Sequence, residues 1–181
     1  MSADLSTMSQ AADLVLARAE ELGALLARER LVLTTAESCT AGGVAYAVTQ
    51  VPGSSAWFDR GYITYSNESK QKLLGVTPSY LRDFGAVSEP VARAMALGAL
   101  SQSQAQIAVA VTGIAGPGGA TETKPVGLVC FAWGIKRDDH ALPWVRTAHR
   151  QFDGDRAAVR TQSIIAALDG LIGLLQQRQD V

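Results

Sequence analysis

An α/β fold in three layers, with helices on both faces of a mixed, mostly parallel sheet, is the architecture this sequence predicts, and three features predict it. Short β-branched apolar runs alternate with amphipathic helical segments along most of the chain. Polar turns stand where strands run into helices, and one hairpin-like pair of strands lies near the end. The length of 181 residues is enough to bury one sizeable core and short for two, so residues 1–181 read as a single domain.

From Ala11 to Arg28 the apolar residues Val15, Ala19, Leu22 and Leu26 recur at helical spacing, leaving Arg18, Glu20, Glu21 and Arg28 for water. "LVLTTAE" is apolar and β-branched enough for a buried strand, and it runs through Ser38, Cys39 and Thr40 into a helical "AGGVAYAVTQ". "VPGSS" is turn chemistry, and "WFDRGYITYS" alternates as a strand does. "NESKQKLLG" follows as a short helix, with Asn67 or Ser66 at its N-cap and Gly75 at its stop.

Ser88, with Glu89 and Pro90 behind it, opens a helix reaching about Ser103. "QIAVAVTG" is a buried strand and "GIAGPGGATETKP" a glycine-rich loop. "VGLVCFAWGI" and "PWVRTAHRQF" form an antiparallel pair, and a closing helix is capped near Asp153 or Asp155.

Composition excludes several classes of function. The chain is 48% hydrophobic and 18% charged with a formal net charge of −1, which fits neither disorder nor the basic balance of a nucleic-acid binder. Its two cysteines, Cys39 and Cys130, make neither a disulfide framework nor a four-ligand metal site, and they suit a reducing cytoplasm. No basic leader with an apolar core opens the chain, and no apolar run approaches the roughly 20 residues of a membrane span. A soluble cytoplasmic protein with no metal, nucleic-acid or membrane partner is expected.

The chemistry concentrates in "TTAESCTAGG". Ser38 and Thr40 are ordinary helix caps by type, yet one helix needs one cap. A serine at the tip of a buried strand, facing a helix start, also stands beside unpaired N–H groups suited to an oxyanion. Gly42 and Gly43 allow a ligand close to the backbone. Glu37 is open to three roles: catalytic helper, substrate contact or structural acceptor. Cys39 has no base in its own segment and reads as a small buried hydrophobe.

A serine nucleophile needs a base. His140, in the polar "KRDDH" turn, and His149, at alternating strand spacing, read as solvated side chains. Lys70 is more informative, because a lysine in the first turn of a helix opposes the helix dipole. The same unfavourable field lowers its pKa toward that of a general base. Tyr65, at the end of the preceding strand, is placed to relay a proton or to hold the lysine.

In "TGIAGPGG", Gly113 and Gly116 follow a strand where α/β sheets place ligand loops, with N–H groups for a phosphate or carboxylate and Lys124 as a nearby charge. The loop matches neither nucleotide-binding glycine pattern. Asn67 and Thr40 join Glu37, Gly42, Gly113, Gly116 and Lys124 as candidate substrate contacts. In "FDGDRAAVR", Arg156 and Arg160 are left for ion pairs, a subunit contact or an anionic substrate.

The blocks "TTAESCTAG", "GSSAWFDRGYITYSNESKQKLLGV", "GAVSEPVARAMA", "VAVTGIAGPGG", "KPVG" and "FDGDRAAVR" occur in this order. From about Leu31 to Arg160 the chain resembles the C-terminal domain family of the competence/damage-inducible protein CinA. The resemblance implies a three-layer α/β/α domain that hydrolyses the carboxamide of nicotinamide mononucleotide, giving nicotinic acid mononucleotide and ammonia in pyridine-nucleotide recycling. It assigns the nucleophile to Ser38 and the family's tyrosine and lysine to Tyr65 and Lys70, with no cofactor. Ala41 stands where close relatives carry the first of two glycines, and Ala120 interrupts the glycines of the later loop. The competing function is a non-catalytic nucleotide-binding or protein-interaction module linked to competence or DNA damage. A homo-oligomer is expected, because the apolar first and last helices offer more surface than one small sheet must cover.

Overall fold

The computed structural model describes residues 2–137 and 142–177, with side chains from Ser9 onward. His140 lies outside the described residues. A five-stranded sheet of order β2-β1-β3-β4-β5 organises the chain, built from β1 (Leu33–Glu37), β2 (Phe58–Ile63), β3 (Ile107–Gly113), β4 (Leu128–Ile135) and β5 (Trp144–Gln151). β1 pairs in parallel with both β2 and β3, while β3–β4 and β4–β5 are antiparallel. The mixed sheet is as the sequence predicts. Strand direction is mostly parallel, with β4 alone reversed, while the pairings divide evenly.

Helices cover both faces. α1 (Ser2–Glu29), α2 (Gly43–Thr49) and α6 (Arg156–Gln177) lie on one side, and α3 (Asn67–Leu74), α4 (Pro78–Phe84) and α5 (Glu89–Ser101) on the other. The strands sort their side chains by size. Ile107, Val109 and Val111 of β3, with Val129, Phe131, Trp133 and Ile135 of β4, pack toward α1 and α6. Ala108, Ala110, Cys130 and Ala132 face the small residues Ala92, Ala96 and Ala99 of α5. Period-two alternation thus gives one thick and one thin core layer.

α1 buries Ala19, Leu22 and Leu26 as its spacing predicts. α4 is an element the sequence reading leaves out, although Thr77 caps it through Tyr80 N and Pro78 occupies its first turn. α6 is long and apolar enough by composition to cross a membrane, which the search for one unbroken apolar run overlooks. Its Val159, Ala167, Leu168, Leu171 and Leu175 instead complete the thick core layer.

Strand order positions the site. From β1 the chain passes through α2 to β2 on one flank, then returns through α3 to α5 to β3 on the other. Helices following neighbouring strands therefore lie on opposite faces, opening a crevice beyond the carboxyl ends of β1 and β3. Ser38 follows β1, and the glycine-rich loop follows β3.

Candidate active site

Ser38 is fixed at the strand tip by its own N–H, which donates to the carbonyl of Val111 on β3 at 2.9 Å. The next residues turn sharply. Ala41 N donates to Ser38 O and Gly43 N to Thr40 O, both at 3.0 Å, and Ala41 and Gly42 take positive φ of 51° and 90°. At Gly42 an added Cβ would lie 3.0 Å from Ile63 Cδ1, so glycine serves both the turn and the packing. Among the described residues no acceptor takes the N–H groups of Cys39, Thr40 or Gly42. They are the donors an oxyanion requires.

Glu37 settles into one of its three roles. Fully buried, its Oε2 accepts from Val44 N at 3.0 Å and its Oε1 from Ala45 N at 2.8 Å, with Thr35 Oγ1 donating at 3.2 Å. The carboxylate satisfies the orphan N–H groups at the start of α2 and answers its dipole. It is a structural acceptor. Neither Ser38 nor Thr40 caps α2 with its side chain, which leaves the Ser38 hydroxyl unspent.

Lys70 supplies the base position. α3 begins with Ser66, whose Oγ accepts from Ser69 N at 3.0 Å while Ser69 Oγ accepts from Ser66 N. This capping box makes Ser66 the N-cap, one of the two residues the sequence leaves open, and turns Lys70 inward. The Lys70 side chain is 1% exposed. Its Nζ donates to Ser38 Oγ at 3.1 Å and to Thr64 O at 2.7 Å. Burial pushes the ammonium down from 10.5 to about 8, with a small opposing pull from Cys39. A lysine brought to about 8 has a minor neutral fraction at physiological pH, and hydrogen-bonded to a serine hydroxyl it has the arrangement of a serine–lysine dyad.

Tyr65 does not hold the lysine. That work falls to the Thr64 backbone carbonyl one residue earlier. The half-exposed Tyr65 instead accepts from Arg156 Nη2 through its phenol oxygen at 2.8 Å. Arg156 Nη1 also donates to Gly116 O at 2.9 Å, so the glycine-rich loop turns a carbonyl toward this side chain. Arg160 Nη2 donates to Thr40 O at 2.9 Å. Arg156 and Arg160 therefore reach the site from α6, joining its start to both the nucleophile turn and the loop after β3. The sequence rule that singles out Lys70, a cation in the first turn of a helix, applies to Arg156 as well.

The remaining candidates divide. Thr40 is buried beside Ser38, its hydroxyl without a partner among the described residues, like that of Thr64. Asn67 opens α3, exposed, three residues before Lys70. Gly113 ends β3, where an added Cβ would meet Val129 and the Leu128 carbonyl, so close strand packing accounts for it. Lys124 donates to Phe84 O at the end of α4 at 2.6 Å, a cation at a helix C-terminus. Cys39 is buried, and burial pushes its thiol up to about 11, away from the reactive thiolate. His149 Nδ1 lies 2.7 Å from Glu89 Oε1, at the β5 edge of the sheet.

A cleft of about 690 Å³ opens nearby, lined by Gly116, Pro117, Val126, Asp155, Arg156 and Arg160 among others, with Ser38 and Lys70 outside its lining. That volume is in the range of small-molecule sites. A second groove, of about 640 Å³, lies between β5 and α6 over Phe131 and Trp133.

Known proteins place this chain in a family. A nicotinamide-nucleotide amidohydrolase PncC from Pseudomonas putida is 54% identical over 156 residues, covering 86% of this chain and 94% of that protein. The Escherichia coli K12 protein of the same name is 48% identical, covering 84% and 89%. Among solved structures, the competence/damage inducible protein CihA from Agrobacterium tumefaciens superposes with a TM-score of 0.82 at 43% identity, over 89% of this chain and 95% of that one. The model of the CinA C-terminal domain matches residues 16–175. The dyad at the crevice of this three-layer sheet thus has its setting: the chain belongs to the CinA C-terminal domain family.

Proposed function

We propose that this chain is a nicotinamide-nucleotide amidohydrolase, an enzyme that converts nicotinamide mononucleotide to nicotinic acid mononucleotide and ammonia. The observation that carries the reading is the 3.1 Å contact between Lys70 Nζ and Ser38 Oγ in a buried setting that favours the neutral amine. The activity named for the Pseudomonas putida and Escherichia coli relatives supports the choice of substrate.

In this reading the Thr64 carbonyl takes one N–H of Lys70 and orients the amine's lone pair toward the Ser38 hydroxyl. Lys70 accepts the hydroxyl proton as Ser38 Oγ bonds to the carboxamide carbon. The oxygen that gains charge is met by the unpaired N–H groups at the start of α2. As the tetrahedral species collapses, Lys70 returns its proton to the leaving nitrogen, and ammonia departs. A water molecule then gives one proton to Lys70 and its hydroxide to the acyl carbon, the ester bond to Ser38 breaks as Lys70 passes that proton to Ser38, and the acid product leaves as the carboxylate after losing its remaining proton to ammonia or solvent. Tyr65 lines the mouth through its bond to Arg156, and Thr40, Gly42, Asn67 and Gly116 surround the ligand. The proposal includes one domain over residues 1–181, a cytoplasmic location, and a homo-oligomer.

The experiment is an assay of ammonia and nicotinic acid mononucleotide with the wild type, Ser38→Ala and Lys70→Ala. Turnover by the wild type and a loss of nearly all rate in both variants is the expected result. A folded wild type that forms no product overturns the reading in favour of the binding module.

A further inference from the structure

Ser38 stands in register between two threonines. Its N–H donates to Val111 O, and Thr64 N donates to Glu37 O at 2.8 Å, which in parallel ladders sets Thr112 and Thr64 opposite Ser38 on its two flanks. Residues in register share a face, about 5 Å apart. Two positions earlier, Ala36 and Tyr62 pack in the thin core layer with α5, so Ser38 and Thr64 point to the side from which Lys70 enters. The other buried threonine hydroxyls of the sheet are engaged. Thr34 Oγ1 donates to Arg60 O at 2.9 Å, Thr35 Oγ1 to Glu37 Oε1 at 3.2 Å, and Thr112 Oγ1 to Ala86 O at 2.8 Å. Thr64 is 0% exposed, and its Oγ1 has no partner among the described residues. A buried hydroxyl left in this way is a net cost to folding. The residue that carries this cost is the one whose carbonyl fixes Lys70. Among the described residues Lys70 Nζ has two partners, Ser38 Oγ and Thr64 O, which leaves one of its tetrahedral directions open. Thr40 Oγ1 is unpaired as well, but Thr40 belongs to the nucleophile turn and is held from α6 by Arg160.

We propose that the Thr64 hydroxyl, together with Lys70 Nζ, seats the water that hydrolyses the acyl-enzyme, which makes the Thr64 side chain a further participant in the reaction. The inference rests on the reading of Ser38 as a nucleophile that becomes acylated. A water bridging Thr64 Oγ1 and Lys70 Nζ has two polar partners, enough for a buried water. With the acyl oxygen held by the N–H groups before α2, the α3 side is left for the attacking oxygen. One proton of the water passes to Lys70 as its oxygen bonds to the acyl carbon. The bond from that carbon to Ser38 Oγ then breaks, Lys70 returns the proton to Ser38, and the acid gives up its own proton to solvent. Thr64 Oγ1 accepts the second hydrogen of the water throughout, and so aims its lone pair at the carbon. The first half of the reaction, which releases ammonia, uses no water. Loss of this hydroxyl therefore separates the two halves.

The test compares the wild type with Thr64→Val, which keeps the shape and loses the hydroxyl, and Thr64→Ser, which keeps the hydroxyl. Each protein is treated with nicotinamide mononucleotide and, separately, with p-nitrophenyl acetate. Mass spectrometry after acid quenching follows the adduct on Ser38, and release of ammonia or nitrophenol in the first turnover follows the step that forms it. Expected for Thr64→Val is an acyl-Ser38 lifetime longer by about tenfold or more, with first-turnover release within about threefold of the wild type. Its melting temperature should be no lower, because the hydroxyl removed has no protein partner. Thr64→Ser restores most of the wild-type lifetime. An unchanged lifetime in Thr64→Val overturns the proposal, and equal slowing of both steps assigns the residue to packing and overturns it too. A wild type that p-nitrophenyl acetate acylates, but that leaves nicotinamide mononucleotide intact, ends the substrate reading alone. The acetyl-Ser38 lifetime then still decides the part of Thr64: dependence on its hydroxyl supports the water seat, and indifference defeats it. A wild type that neither reagent acylates ends both readings.

Discussion

Glu37 and Ala45 are joined by a 2.8 Å hydrogen bond that runs from the backbone N–H of α2 to a fully buried carboxylate. With the companion bond from Val44, it sets the angle at which α2 leaves β1 and so the position of Ser38 between them. Two N–H donors converge on Glu37, and a glutamine offers one acceptor oxygen where the carboxylate offers two. Glu37→Gln is therefore expected to lose about 1–3 kcal/mol of stability, read as a lower midpoint in denaturant. Its KM for substrate should stay within a few-fold of the wild type, since the buried carboxylate is engaged by Thr35, Val44 and Ala45.

The lowered pKa of Lys70 fixes the pH dependence. The lysine acts as a base when neutral, so kcat/KM rises with pH and levels off above about 8. The sign is that of a group that must lose its proton before it works. Lys70→Arg stays charged throughout the accessible range and is expected to lower the rate by about 10²- to 10⁴-fold. A rate profile between pH 6 and 10 measures both, and a wild-type profile flat across that range contradicts the assignment.

Cys39 is adjacent to Ser38, the proposed nucleophile, and the proposed chemistry does not use it. With its thiol pushed up to about 11 by burial, alkylation of the folded protein at neutral pH is expected to be slow beside a free thiol. Cys39→Ala should retain turnover within a few-fold, at a cost near 1 kcal/mol for the lost sulfur contact. Mass spectrometry after iodoacetamide treatment, paired with the assay, checks both expectations.

Ala41 holds a backbone conformation that suits glycine, with φ at 51°. The Cβ strain there is about 1–2 kcal/mol, and glycine recovers it while loosening the unfolded chain by roughly half as much. Ala41→Gly is expected to raise stability by about 0.5–1 kcal/mol, seen as a modest increase in Tm. A lower Tm would mean that the Ala41 methyl is packed usefully.

Much of the fold and part of the site were legible in the residues. Ile107, Val109 and Val111 alternating with Ala108 and Ala110 announce a strand buried on both faces, and Ser88 opens its helix and Gly75 ends another where their types suggest. Ser38 and Lys70 were legible because each breaks a local expectation: one cap too many, and one cation at the wrong end of a helix. The Thr64 carbonyl was not, since a backbone oxygen carries no signature of the side chain it will hold. The Glu37 bonds depend on how β1 leads into α2, and those of Arg156 and Arg160 join segments up to 120 residues apart. No spacing in the sequence encodes them. Lys124 looks like a ligand contact beside its glycines, and the approach of Phe84 turns it toward α4 instead.

The reversal of β4 has a practical side. Ile135 pairs with Trp144 and with Ile107, the first residue of β3, so the connection from β4 to β5 leaves the sheet at the end away from Ser38. A guest peptide or fluorescent reporter spliced into that connection would ride on the far side of the molecule from the substrate. The segment between Gly113 and Leu128 offers no such freedom, because both of its ends border the cleft. One hairpin therefore divides the surface into a working end and a handle.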